Sequence, residues 1–271
     1  SENGYIAFVL EYIEGTTLYK ARKYNRWLPI ISISSQLVLI VQYLHERNIL
    51  YRDLKPENIM YNRVTHRLKL IDFGLAVRLA GPMGTTSGQT GTPPFMAPEI
   101  IASAHNRYSY PADWYAVGLV IYEMIAGRNP FDGIRDHGAL RDHVVAGFEC
   151  LLRDRIGCDL IGHLSALRPE DRWGSTANSL LRLKRHQWFR GIPWEDFATG
   201  HISVLLPKQT SARRSRGRLI ASLPAAQTSW DGKNPLRATT DAITRLTLDT
   251  SQGQFGLEIF DSQRDKDIHS V

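Results

Sequence analysis

The eight-residue stretch Tyr51-Arg52-Asp53-Leu54-Lys55-Pro56-Glu57-Asn58 constrains this chain more than anything else in it. Asp72-Phe73-Gly74 begins nineteen residues after Asp53, and Ala97-Pro98-Glu99 follows. Any one of these polar residues alone reads as an ordinary Asp, Asn or Lys of a solvated loop. Three separate segments in a fixed order and at set distances do not. With 271 residues, 43% of them hydrophobic, the chain can bury a sizeable core as one domain with a tail.

Together the segments resemble the catalytic half of a protein kinase, with Tyr51 in place of the more usual His of the catalytic-loop signature. The resemblance implies phosphoryl transfer, whose loose transition state asks for positioning and charge neutralisation rather than covalent work. It assigns Asp53 as the carboxylate that accepts the substrate hydroxyl proton and Lys55 as the lysine that steadies the transferring phosphate. Asp72 and Asn58 become the magnesium ligands, and hard oxygen donors suit that ion. In the family, a Lys two residues after the catalytic Asp and a Thr in the place of Thr92 mark Ser/Thr kinases. The implied cofactors are ATP and Mg2+, and the implied partners are proteins carrying Ser or Thr acceptors, with an upstream kinase as a further one.

Later segments resemble the basophilic group that includes the cyclic-nucleotide-dependent kinases. Asp113-Trp114-Tyr115-Ala116-Val117-Gly118 looks like that group's buried helix, whose Asp braces the catalytic loop. Arg172, in Arg168-Pro169-Glu170-Asp171-Arg172-Trp173-Gly174, is expected to pair with Glu99. His186-Gln187-Trp188-Phe189 resembles the end of the core, so the likeness runs from about Gly4 to about Phe197. Glu57 and Glu123 match positions at which relatives bind Arg of the peptide substrate, a geometrically specific pairing, and Thr92 is placed with them beside the peptide. A third acidic position of the group is Thr17 here, with Glu14 close by.

The run Tyr5-Ile6-Ala7-Phe8-Val9-Leu10 is strand-like, and Glu11-Tyr12-Ile13 resembles the hinge that hydrogen-bonds adenine through its backbone. Glu11, Ile13 and Met60 are thus expected to border the adenine. The sequence holds no G-x-G-x-x-G and no V-A-I-K-like lysine, the marks of a kinase small lobe. The expected fold is α+β and kinase-like, a mainly helical large lobe with its hinge and without the N-terminal lobe. Residues 1–198 form that catalytic region and residues 199–271 a largely disordered tail. Two readings follow: a fragment of a longer active kinase, favoured by the intact set Asp53, Lys55, Asn58 and Asp72, or a lobe-less scaffold that only binds partners.

Ile33, Leu37, Ile40, Val41 and Leu44 recur at helical spacing and predict a helix ending near His45. Residues 68–71 predict a short strand, residues 61–67 a turn, and residues 140–152 and 159–167 amphipathic helices. Residues 75–96 look like the activation loop, rich in Gly, Ser and Thr, and are expected to be mobile when unmodified. Its acceptor candidates are Thr85, Thr86, Ser87 and Thr90, with Arg52 as the residue that binds an added phosphate. The family's usual phosphothreonine position falls on Gly88, so either the site has shifted or the loop needs no phosphate.

Cys150 and Cys158 match neither a disulfide framework nor a zinc site, and are expected as reduced thiols. The longest apolar stretch, residues 115–127, is too short to span a bilayer and reads as a buried helix, which makes a cytoplasmic or nuclear location the default. From residue 207 to 245 there are eight Lys or Arg against two Asp, an excess equal to the +6 of the whole chain. The cluster Arg213-Arg214-Ser215-Arg216-Gly217-Arg218 reads as solvated disorder, or as a contact for nucleic acid or anionic lipid.

Overall fold

A helix that is mostly apolar on every face must be buried on every side, and residues 111–126 make one, with Asp113 and Glu123 as its charged exceptions. The computed structural model describes residues 11–24 and 28–195, and this helix is its axis. The strand-like run 5–10 and the tail 199–271 lie outside the described residues. In chain order the elements are β1 (Thr16–Thr17), α1 (Leu18–Tyr24), α2 (Ile30–Glu46), β2 (Ile49–Leu50), β3 (Ile59–Tyr61), β4 (Leu68–Leu70), β5 (Val77–Arg78) and β6 (Thr86–Ser87). Then come α3 (Pro98–Ile101), β7 (Arg107–Tyr108), α4 (Pro111–Ala126), α5 (His137–Ala146), α6 (Arg155–Leu164) and α7 (Ala177–Arg185). The mixture is mainly helical, as a kinase-like α+β fold requires.

Helix α4 starts on Pro111, whose missing N–H costs nothing in a first turn, and stops at Gly127 in the left-handed region. Helices α2 and α6 pack against it. The periodic residues Ile33, Leu37, Val41 and Leu44 of α2 are buried against Val117, Val120 and Ile121 of α4 and Leu160, Ile161 and Leu164 of α6. Each such side chain is worth about 1.5–3 kcal/mol of transfer free energy. Trp114 is fully buried in the same core, and Gly174 lies flat on its indole. A Cβ at Gly174 would fall 2.4 Å from the ring, so any side chain there must displace it. Trp188 closes the far end, its indole N–H donating to Ser34 Oγ at 2.8 Å.

A second core lies on the other side of α4. There Ile100, Ile101, Tyr108, Tyr110, Leu140 and Val144 gather around Leu119 and Tyr115. The strands are short and antiparallel, in the orders β1-β3-β4, β2-β5 and β6-β7. Hairpin β3-β4 pairs Ile59 with Leu70 and Tyr61 with Leu68, and Asn62 Oδ1 caps its turn by accepting from the amides of Val64 and Thr65, each at 2.9 Å.

Two helices differ from the expected bounds. The helix expected over 140–152 is α5, which begins at His137 because Asp136 caps it through the Ala139 amide at 2.8 Å. It ends at Ala146 because Gly147 turns the chain at φ 85°, sending Phe148 into an edge-to-face cluster with Tyr122 and Phe131. The helix expected over 159–167 is α6, started at Arg155 by the Asp154 cap and finished at Leu164.

The expectation of free thiols is also corrected: Cys150 and Cys158 form a disulfide. The chain leaving Phe148 runs back along the start of α6, which brings the two Cα atoms to 5.5 Å, an ordinary bridging distance. Among the described residues no helix is long and apolar enough to cross a membrane.

Candidate active site

Asp53 lies between β2 and β3 and is only 7% exposed. Its carboxylate is surrounded by donors. Lys55 Nζ and Asn58 Nδ2 each donate to Oδ2 at 2.8 Å, and Thr92 Oγ1 donates to Oδ1 at 2.6 Å. Lys55 Nζ also donates to Thr92 Oγ1 at 2.6 Å, closing a ring of three side chains, Asp53, Lys55 and Thr92, to which Asn58 is joined through Asp53. Asn58 Nδ2 makes a further bond to the Asp53 carbonyl at 3.0 Å. Charge-assisted bonds of this kind fix a carboxylate in place. Asp53, Lys55, Asn58 and Thr92 are therefore one cluster. Sequence reasoning had set Thr92 apart, with the peptide-contacting residues.

The loop that carries Asp53 is strained and braced. Arg52 sits at φ 70°, a region costly for a residue with a side chain. Asp113 of α4 holds it, accepting from the amides of Tyr51 and Arg52 at 2.9 Å each and facing His45 Nε2 at 2.8 Å. Gly91 approaches from the other side, and a Cβ there would fall 2.5 Å from the Arg52 carbonyl oxygen. Tyr51, buried, donates its hydroxyl to the carbonyl of Ile71 at 2.5 Å and meets Phe73 edge to face at 5.2 Å. Burial, then the nearby Asp53 and Asp72 carboxylates, push its phenol far above the ordinary value, so it remains a donor. His45 and Gly91 escaped the sequence reading.

Hairpin β3-β4 carries Asn58 and Asp72 at its open end. The Ile71 amide donates to the Asn58 carbonyl at 2.9 Å, leaving Asp72 one residue beyond. Asp72 is exposed at φ 62°, and its Oδ1 accepts from Gly74 N at 3.1 Å. With the Asn58 Nδ2 committed to Asp53, the oxygens of Asp72 and Asn58 are the hard donors at this edge, a set that fits magnesium.

Glu11, Ile13 and Met60 line one cavity of about 250 Å³, together with Tyr12, Asn62 and Lys69. The Glu11 side chain pairs with Lys69, so it is held down on β4.

Glu57 is exposed, but Glu123 is buried on α4 at 6% exposure. Its partner is Arg22 of α1, Nε to Oε1 3.7 Å, a residue the sequence reading missed; Arg22 also donates to the Gly127 carbonyl. Burial pushes the Glu123 carboxyl up to about 7, Arg22 opposes this, and the nearby Glu57 and Asp132 carboxylates add to it.

Glu99 and Arg172 pair bidentately at 2.5 and 2.7 Å, with the arginine side chain wholly buried. Arg172 also donates to the carbonyls of Ala166 and Leu167, at 2.6 and 3.0 Å. The activation segment, expected to be mobile, is instead tied down: Thr86 and Ser87 form β6 and pair with β7, and Thr85 Oγ1 accepts from Arg107. Thr90 is half-buried beyond it. Arg52 donates to the Leu75 carbonyl at 2.6 Å and to the Tyr108 hydroxyl at 3.4 Å.

A braced carboxylate in a ring of lysine, amide and hydroxyl, beside a second carboxylate on a hairpin, defines the large lobe of a protein kinase. Residues 1–189 match the protein kinase domain, and the chain belongs to that family. It is 35% identical over 199 residues to the mouse (Mus musculus) cAMP-dependent protein kinase catalytic subunit PRKX, covering 72% of this chain and 54% of that one. It is 32% identical over 208 residues to the cAMP-dependent protein kinase catalytic subunit of Schizosaccharomyces pombe, covering 72% and 38%. The cGMP-dependent protein kinase of Eimeria tenella is 36% identical over 213 residues, covering 75% of this chain and 20% of that one. The chain spans about half or less of the length of these relatives.

Proposed function

We propose that this chain is the catalytic region of an ATP- and magnesium-dependent Ser/Thr protein kinase. The observation that carries the reading is the ring of Asp53, Lys55 and Thr92, with Asn58 bonded to Asp53 and the loop held by Asp113. Asp53 takes the proton of the acceptor hydroxyl. Lys55, which touches that carboxylate, supplies the positive charge that neutralises the transferring phosphate. Thr92 fixes the Asp53 carboxylate plane and borders the acceptor residue. Asn58 and Asp72 would hold magnesium, which would neutralise charge on the transferring phosphate. Glu11 and Ile13 meet the adenine through backbone groups, and Met60 through its side chain.

Peptides with basic residues near the acceptor suit Glu57 and Glu123. The exposed carboxylate of Glu57 reads an arginine directly, and Glu123 does so when ionised. The similarity to cyclic-nucleotide-dependent kinases supports the substrate class.

The test is transfer of labelled phosphate from ATP to an Arg-rich Ser/Thr peptide by the full chain, against Asp53→Ala. Loss of the general base is expected to lower the rate by about 10²–10⁴-fold. Because the sequence carries no Gly-rich loop and no strand lysine to position the nucleotide, the parent rate is itself expected to be low; equal transfer by parent and variant would sink the reading and leave the scaffold as its successor.

A further inference from the structure

Residues 81–89 of the activation segment lie against residues 101–110, and bonds join the two along their length. The Gly81 carbonyl accepts from the Tyr110 hydroxyl at 2.9 Å, and the Gly84 carbonyl from Ser109 Oγ at 2.7 Å. Arg107 Nε donates to Thr85 Oγ1 at 2.8 Å. Thr86 and Ser87 pair antiparallel with Tyr108 and Arg107. The Gly88 amide donates to the Ala104 carbonyl at 3.0 Å, and Gln89 Nε2 to the Ile101 carbonyl at 2.7 Å. The receiving stretch is itself fixed, because Ile101, Tyr108 and Tyr110 are buried in the second core.

We propose that this clasp, with Arg107, Ser109 and Tyr110 as its positioning residues, holds the activation segment in place without a phosphate. A phosphate orders such a loop by adding charge-assisted bonds to a nearby arginine. Here the arginine beside the base, Arg52, is already bonded to the Leu75 carbonyl and the Tyr108 hydroxyl. Glycine stands at position 88, where no phosphate can be attached, and its amide is one of the clasp bonds. Side chains and strand pairing thus do the ordering that a phosphate does elsewhere. The clasp matters to catalysis because the same segment continues to Gly91 and Thr92, so its consequence rests on the kinase reading above.

The test is amide hydrogen exchange on the full chain after phosphatase treatment, with mass spectrometry confirming that Thr85, Thr86, Ser87 and Thr90 carry no phosphate. Exchange across 84–88 is expected to be slowed at least ~100-fold relative to an unstructured peptide, since protection reports the population of the opened segment. Arg107→Ala combined with Ser109→Ala should raise exchange across 81–89 at least ~10-fold while α4 and α6 exchange as before. Exchange at peptide rates in the phosphate-free protein, or protection that appears only on phosphorylated protein, would overturn the proposal. So would a double variant whose segment exchanges no faster than the parent. Because exchange is read and not turnover, a protected segment upholds the clasp whatever the rate of phosphoryl transfer, and equal transfer by the parent and Asp53→Ala would count against the kinase reading alone.

Discussion

Asp113 Oδ1 lies 2.9 Å from the amide nitrogen of Arg52, a residue held at φ 70°. The other carboxylate oxygen accepts from Tyr51 N and faces His45 Nε2. One buried side chain on the central helix therefore fixes the backbone that aims Asp53. Both oxygens are needed, and an amide offers only one acceptor.

Asp113→Asn is thus expected to set an NH2 group against a backbone N–H in a site only 2% exposed. Leaving a buried donor unmatched costs about 1–3 kcal/mol. The urea midpoint should fall with an unchanged slope, and phosphoryl transfer should fall further than the stability loss explains. An unchanged midpoint would mean that the loop holds its own conformation.

The Glu99–Arg172 pair makes a second prediction about the fold. Arg172 is buried, and its fork serves Glu99 while it also donates to the carbonyls of Pro111, Ala166 and Leu167. Arg172→Ala leaves a carboxylate with no counter-charge and is expected to cost about 3–5 kcal/mol. Arg172→Lys should recover little of it, because an ammonium cannot span the planar fork. Thermal unfolding of the two variants checks this: a lysine variant as stable as the parent would refute the bidentate argument.

Chain-local chemistry was easy to read, and chemistry made by helices crossing was not. Asp53, Lys55 and Asn58 share one turn of loop, so their spacing alone carries the cluster. The strand before Asp72 and the apolar face of α2 follow from residue patterns on single elements. Arg22 meets Glu123 across about a hundred residues of chain, and His45 meets Asp113 across 68, with nothing in either local pattern to announce the partner. The bonds of the activation segment were hidden from the sequence for a related reason. Its Gly, Ser and Thr content signals weak self-cohesion, yet its bonds are made to a stretch twenty residues further on. The Cys150–Cys158 bridge depends on where α5 ends, a boundary that Gly147 sets and that a reading of apolar periodicity ran past.

Thr92 offers a test of the ring at Asp53. Its hydroxyl donates to Asp53 and accepts from Lys55, so Thr92→Val removes two bonds at constant volume while Thr92→Ser retains both. The valine variant is expected to lose about 10–100-fold in kcat with little change in thermal stability, the size of effect that misplacing a reacting group produces. The serine variant should stay within a few-fold of the parent. Equal losses in both variants would assign Thr92 to peptide contact through its methyl group and not to positioning of the base.

If Glu123 reads arginine as proposed, that preference is expected to depend on pH. Burial raises its pKa to about 7, above the ordinary glutamate value, so the neutral form is favoured in the folded chain. The sign for stability follows. This contribution is fully present below the unfolded pKa and is lost as pH rises through about 7. Recognition runs the other way, because only the carboxylate attracts a guanidinium. Between pH 6 and pH 8 the ratio of kcat/KM for an Arg-containing peptide over its Ala analogue should therefore rise. Glu123→Gln should flatten that rise and also remove the stability decline, which falls between about pH 4.5 and about 7, since nothing remains to ionise. Arg22 competes for the same carboxylate, so Arg22→Ala should shift the rise to higher pH by taking away the one charge that favours ionisation. A preference that is pH-independent in the parent, or that survives unaltered in Glu123→Gln, would place arginine recognition on Glu57 alone.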